Sequence, residues 1–176
     1  MMTVNIALLI FRVVFGLTLA GHGAQKLFGW FGGPGAAKLS LGLAKMGFKP
    51  GWFWTSLAIV GELGGGLSLV FGFLTPLGAA GYLGAMVMAA STHWKKGFFA
   101  QKGGYEYALT LAVASLTIGL IGPGSYSLDA LLGIALPEVP VFAVLALAAV
   151  LVDIVGIVIT ARNAPAPQVE SASKAS

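Results

Sequence analysis

The segment VNIALLIFRVVFGLTLAGHGAQKLF, residues 4–28, is almost entirely apolar and contains only two charged side chains, Arg12 and Lys26. A helix of about 20 apolar residues crosses the hydrocarbon core of a bilayer. The segment is therefore predicted to be a transmembrane helix. Because the N-terminal residues MMTVN, which lead into this segment, include no basic residue, we expect a retained helix and not a cleaved signal peptide.

The rest of the chain continues this pattern. Of its 176 residues, 57% are hydrophobic and 9% are charged, and the mean hydropathy is +0.91. Soluble domains are far more polar, so the sequence predicts an all-α, polytopic membrane helix bundle over residues 1–161. Its spans are predicted at about 4–28, 52–74, 76–94, 105–121 and 139–161, and residues 162–176 are predicted to form a disordered cytoplasmic tail.

Composition also excludes several classes of function. The chain has no cysteine, which excludes disulfides, thiolate metal sites and Cys-ligated iron–sulfur clusters. The net charge of +4 does not indicate nucleic-acid binding, because the basic residues flank apolar runs. In the predicted topology one side carries Lys38, Lys45, Lys49, Lys95, Lys96, Lys102, Arg162 and Lys174. Basic flanks tend to stay cytoplasmic, so we expect the N-terminus outside and the C-terminus in the cytoplasm.

The first loop contains two local patterns. In FGWFGGPG, residues 28–35, the aromatic and glycine residues indicate an interfacial turn, and the Gly-Lys-Ser/Thr of a phosphate-binding loop is missing. In AAKLSLGLAKMGFK, residues 36–49, Leu39, Leu43 and Met46 recur at helical spacing, apart from the lysines. This second pattern predicts a short amphipathic helix on the membrane surface.

Ionisable side chains within the apolar runs are the candidates for function. They are Arg12, His22, Glu62, His93, Glu106 and Asp153. Such groups normally face the bundle interior and pair with one another. From the helical rise per residue, Arg12 and Glu62 come to nearly the same depth, so we predict that they form a buried ion pair. The pair could hold the register of two helices or serve a function. Asp153 could join it or form a separate proton-accessible site.

A second polar layer is predicted near the cytoplasmic face. By the same depth estimate, its candidate ligand-binding residues are His22, Gln25, Lys26, His93 and Glu106. The first three share one helix face because they are spaced i, i+3 and i+4. The aromatic residues expected around the site are Phe28, Trp94 and Tyr105. Such a site could hydrogen-bond the carbonyl oxygens of a quinone and exchange protons with it. Two imidazoles could instead ligate haem b, but no spacing requires iron and no metal site is predicted.

Several motifs follow one another along the chain: HGAQKLFGWFGGPG, GELGGGLSLVFGFLTP, THWKKGFF, GGYEYALTL and GPGSYSLD. Together they resemble the DoxX family, from about Leu9 to Leu132. The resemblance implies a small, multi-pass protein of the bacterial inner membrane with a four-helix core. The family's characteristic polar positions match Arg12, His22, Lys26, Glu62, His93 and Glu106. The run at 139–161 then adds a fifth span to that core.

The resemblance also implies a place in membrane redox chemistry, because the family's name descends from a subunit associated with thiosulfate–quinone oxidoreductase. One hypothesis is therefore a redox-associated subunit that binds quinone while the electron-transfer cofactor lies on another chain. The other is a non-catalytic scaffold or small-solute permease. Expected partners are the lipid bilayer and either a soluble redox protein or a second copy of the chain. The sequence leaves open whether the chain is an enzyme, and it assigns no catalytic residue.

Overall fold

The computed structural model describes residues 2–162, which form helices and connecting turns without a β-strand. The helices are α1 (Met2–Phe28), α2 (Gly35–Lys45), α3 (Gly51–Phe71), α4 (Thr75–His93), α5 (Glu106–Ile121), α6 (Leu128–Leu131) and α7 (Glu138–Arg162). The predicted all-α membrane helix bundle is confirmed. Apart from Arg162, the tail predicted at 162–176 lies outside the described residues.

Within residues 2–162, three helices are long and apolar enough to cross a membrane, namely α1, α3 and α7. The other two predicted spans are also helices: α4 has 19 residues and α5 is a shorter apolar helix of 16 residues. The helix boundaries therefore follow the hydropathy pattern closely. The crossing of α4 and α5, and the orientation of the whole bundle, stay predictions.

The bundle is built around α4, which packs against α3, α5 and α7, while α1 packs mainly against α3. Small side chains make the centre of α4 narrow, and Ala79 and Ala80 are almost completely buried. On the far side, α7 also contacts α5, where the ring of Phe142 fills the space beside Gly119. The arrangement is that of four core helices, α1, α3, α4 and α5, with α7 added against two of them.

The short helix α2 forms where the amphipathic pattern predicts a helix. Leu39, Leu43 and Met46 line one cavity between α2 and the bundle, whereas Lys38 and Lys45 are exposed. The apolar spacing in the first loop therefore identified the face that packs inward. Its position on the membrane surface stays a prediction.

The turn between α3 and α4 is capped by an acidic residue from a distant part of the chain. Asp129, which lies in the first turn of α6, is 2% exposed. Its carboxylate accepts hydrogen bonds from Leu74 N (2.8 Å), Thr75 N (3.1 Å) and Thr75 Oγ1 (3.0 Å). A carboxylate at the N-terminus of a helix satisfies free N–H groups and interacts favourably with the helix dipole. Asp129 therefore ties α6 to the start of α4.

Close contact between α1 and α3 depends on glycine. A Cβ atom placed on Gly66 would lie 2.6 Å from Ala20 N and 2.7 Å from Gly16 O, both in the backbone of α1. Neither atom can yield without moving the helix. By contrast, a Cβ on Gly64 would meet nothing closer than Val60 Cγ1 at 4.0 Å. The two positions form a matched pair on the same helix.

We expect Gly66→Ala to lower the free energy of unfolding by about 1–3 kcal/mol, the usual cost of overpacking a tight contact. Gly64→Ala should be neutral or stabilising, because alanine is the better helix former and finds open space. Thermal unfolding of both variants in detergent micelles measures the difference. Equal stability of the two would show that α1 and α3 are not in backbone contact.

Candidate functional site

One cavity of about 320 Å³ lies among α1, α3, α4 and α5, and we call it the polar cavity. Its polar lining consists of His22 and Lys26 from α1, Glu62 from α3, His93 from α4 and Tyr107 from α5. Alanine, leucine, methionine and glycine residues provide the rest of the wall. Each core helix thus contributes an ionisable side chain to one cavity, which is the arrangement expected of a binding site and not of scattered packing residues.

The principal charge pair of the polar cavity joins Lys26 and Glu62. Lys26 Nζ donates to Glu62 Oε1, and the two side chains are 25% and 2% exposed. The other carboxylate oxygen, Glu62 Oε2, is buried and has no hydrogen-bond partner among residues 2–162. A buried acceptor without a partner is costly in a native structure. Glu62 therefore has hydrogen-bonding capacity left for a ligand or a water molecule.

Glu62 occupies an unusual place in the backbone, the π-helical segment Val60–Gly64 inside α3. Such segments are rare and occur frequently at functional sites. A Cβ on Gly61 would lie 2.6 Å from Gly81 O, and one on Gly65 would lie 2.8 Å from Gly78 O. Because both oxygens belong to α4, backbone contact on each side of Glu62 holds this carboxylate between the helices.

The two histidines of the polar cavity have different partners. His22 Nε2 lies 3.1 Å from Tyr107 Oη, so an imidazole and a phenol share one hydrogen bond. His93 Nδ1 lies 2.8 Å from Gly103 O. A carbonyl oxygen only accepts, so Nδ1 of His93 carries the proton, and in the neutral ring Nε2 is left as an acceptor. The site therefore combines proton donors and acceptors within one space.

Two of the predicted ligand-binding residues lie outside the polar cavity. The amide of Gln25 donates from Nε2 to Phe31 O at 3.4 Å and so holds the turn after α1. Glu106 Oε2 accepts from Ala100 N at 3.0 Å, which stabilises the loop before α5. His22 and Lys26, at positions i and i+4, both border the cavity. Gln25, at i+3, does not, because the face of α1 that borders the cavity is narrower than the spacing implies.

The aromatic lining also differs from the expectation. Phe28 and Trp94 are 55% and 64% exposed. Trp94 stacks on Tyr105, with ring centroids 4.6 Å apart, outside the polar cavity. The aromatic residue that does line the cavity is Tyr107, which the sequence reasoning missed. Tyr107 directly follows Glu106 in GGYEYALTL, and adjacent residues of a helix point in different directions. A helix that turns Glu106 away from the cavity can therefore turn Tyr107 toward it, and this was the signal in the sequence.

The predicted ion pair between Arg12 and Glu62 is wrong, since Glu62 pairs with Lys26 instead. The Arg12 guanidinium is fully buried and donates to Leu69 O at 3.4 Å and to Tyr126 O. Leu69 is two helical turns, about 10 Å, beyond Glu62 along α3. The depth estimate failed because the α1–α3 register is set by the glycine contacts of the two helices, which bring Gly23 against Leu63. As a result, Arg12 lies level with Leu69 and not with Glu62 along α3.

The fold and the polar cavity define a multi-helix membrane protein with a buried ionisable site among its core helices. The DoxX family model matches residues 7–94, half of the 176-residue chain, and the chain belongs to the DoxX family. The matched region holds His22, Lys26, Glu62 and His93, whereas Tyr107 lies beyond it. No similar curated protein and no similar solved structure was found for this chain.

Proposed function

We propose that the polar cavity binds the head group of a quinone and that the chain is a redox-associated protein of the bacterial inner membrane. The observation that carries this proposal is the Lys26–Glu62 ion pair, which borders the same cavity as two imidazoles and a phenol. An ion pair that served only to pack two helices together would not need to border a cavity. Its volume of about 320 Å³ lies at the small end of the range typical of ligand sites, and a single ring fits it.

The chemistry of the lining suits a quinone. Its two carbonyl oxygens are acceptors, and Lys26 Nζ and the hydroxyl of Tyr107 are donors on the cavity wall. Reduction to a quinol takes up two electrons and two protons. The imidazoles of His22 and His93 are the side chains on the wall that can exchange protons with a bound quinone. The electrons would come from a cofactor on a partner chain, either a soluble redox protein or another subunit.

The neighbouring cavity beneath α2 offers room for an apolar tail. This space, also of about 320 Å³, shares Lys26, Ala89 and His93 with the polar cavity and is lined by Leu39 and Leu43. A head group in the polar cavity could therefore extend its chain toward the membrane surface between α2 and the bundle. Lys26 and His93 lie at the junction of the two cavities.

A short-chain ubiquinone analogue titrated against the purified protein in detergent tests the proposal. We expect saturable binding to the wild type, and at least about a tenfold loss of affinity for His93→Ala, the equivalent of one hydrogen bond. Glu106→Gln is the matched control, because this carboxylate lies outside the polar cavity and should leave the affinity unchanged. Absorption spectra of the same samples would reveal haem b if the imidazoles ligate iron instead.

Equal affinity of the wild type and His93→Ala for the analogue would contradict quinone binding in this cavity. That result would favour the scaffold or small-solute permease. A fall in affinity for Glu106→Gln as large as that for His93→Ala would equally count against the proposed position of the head group.

A further inference from the structure

A second cavity, of about 270 Å³, lies between α3, α4 and α7, and we call it the Asp153 groove. It opens between apolar side chains that face the surrounding lipid: Leu57 is 41% exposed, Val60 67% and Val152 43%. Gly61 and Gly84 form part of its wall, so two helix backbones border the space directly. The groove therefore offers a small, apolar binding space to a molecule dissolved in the membrane.

Asp153 is the one titratable side chain among the residues that line this groove. The residue is 6% exposed, and its Oδ2 atom has no hydrogen-bond partner within residues 2–162. No ion pair reaches it from the described part of the chain. A Cβ on Gly84 would lie 3.7 Å from Asp153 Oδ2, so the carboxyl group rests against a bare stretch of α4 backbone.

Neither packing nor the polar cavity explains this carboxyl group. A carboxyl in hydrocarbon is tolerated when it is protonated or when a cation neutralises it, and intramembrane acids are typically functional. No lysine, arginine or histidine lines the groove to supply that charge. Trp54 does line it, and the face of an indole ring attracts cations. The lining therefore suits a ligand that carries one positive charge on an apolar molecule.

We propose that the Asp153 groove binds a lipophilic cation, a substituted ammonium or phosphonium, in exchange for the carboxyl proton. The O–H bond of the carboxylic acid breaks, the proton leaves to water, and the cation then forms an ion pair with the carboxylate. Charge in the groove is unchanged by this exchange. Because the proton and the cation compete, binding strengthens as the pH rises through the titration of Asp153, by up to about tenfold for each pH unit.

The proposal does not rest on the quinone function, because Asp153 lines neither the polar cavity nor the cavity beneath α2, although Trp54 borders the latter. The probe is benzyltriethylammonium, which carries one ring, and its binding to the full-length protein in detergent is measured by equilibrium dialysis. We expect one saturable site that weakens as the pH falls. Asp153→Asn, which keeps the size of the side chain, should lower the affinity at least about tenfold, the value of a lost charge pair in a poorly hydrated site. Glu106→Gln should bind as the wild type does.

A second measurement covers the case in which Asp153→Asn alters the fold. Dicyclohexylcarbodiimide reacts with protonated carboxyl groups in apolar surroundings, and mass spectrometry locates the adduct. In the unmodified wild type we expect labelling of Asp153 and protection by benzyltriethylammonium. Labelling without protection, or benzyltriethylammonium affinity that is independent of pH, would overturn the proposal.

Discussion

Replacing Lys26 with methionine is expected to lower the free energy of unfolding by about 3–5 kcal/mol, the cost of leaving one member of a buried ion pair without its partner. Glu62 is 1% exposed and has no other ion-pair partner among the described residues. In Lys26→Met its carboxylate must therefore stay charged and unpaired or take up a proton. Either outcome costs free energy in the folded state.

The double variant Lys26→Met/Glu62→Gln separates the effect of the two charges from the effect of side-chain size. Because no charge is left to bury, this variant should regain much of the stability that Lys26→Met loses. Chemical unfolding in mixed micelles measures the wild type, both single variants and the double variant, and Lys38→Met controls for the loss of an exposed lysine. Additive losses in the double variant would contradict a direct Lys26–Glu62 pair.

Arg12→Met should have an effect of similar size, about 3 kcal/mol or more, because it removes a fully buried guanidinium and the partner of two backbone carbonyls. The carbonyl groups are those of Leu69, at the end of α3, and Tyr126, in the loop after α5. Arg12 therefore links three parts of the chain at the end of the bundle opposite the polar cavity.

The control for Arg12 is the other arginine of the described chain, since Arg162→Met changes an exposed residue at the end of α7. It should be close to neutral. Thermal unfolding in detergent micelles measures both variants. A double-mutant cycle with Asp129→Asn should be non-additive, because Asp129 lies within electrostatic reach of Arg12. If Arg12→Met is as stable as Arg162→Met, the buried guanidinium does not link these segments.

The sequence predicted the helices well because the period and the length of apolar runs are local properties. Leu39 and Leu43 identify the inner face of α2 from their spacing, and Met46, which directly follows the helix, borders the same cavity. The depth estimate, which follows from the number of residues along a helix, placed His22, Lys26 and His93 in one layer, and the structure places them on one cavity without Gln25 and Glu106. These are the parts of the site that helical geometry determines before any contact is known.

Partner choice could not be predicted in the same way. Glu62 pairs with Lys26 and not with Arg12 because glycine contacts set the register of α1 and α3, and because a π segment displaces the carboxylate. Hydropathy contains no information on either feature. The cap that Asp129 provides to α4 is equally hard to predict, because Asp129 and the start of α4 are more than fifty residues apart in sequence. Such contacts arise from tertiary packing, and only a structure reveals them.

The central claim, that the polar cavity is a quinone site, is tested most directly by photoaffinity labelling with an azidoquinone and mapping of the adducts by mass spectrometry. The proposed geometry predicts adducts on cavity residues such as Met86, His93 and Tyr107, suppressed by excess unlabelled quinone. Adducts confined to outward-facing residues of α5 such as Leu109 and Val113, and insensitive to competition, would contradict it.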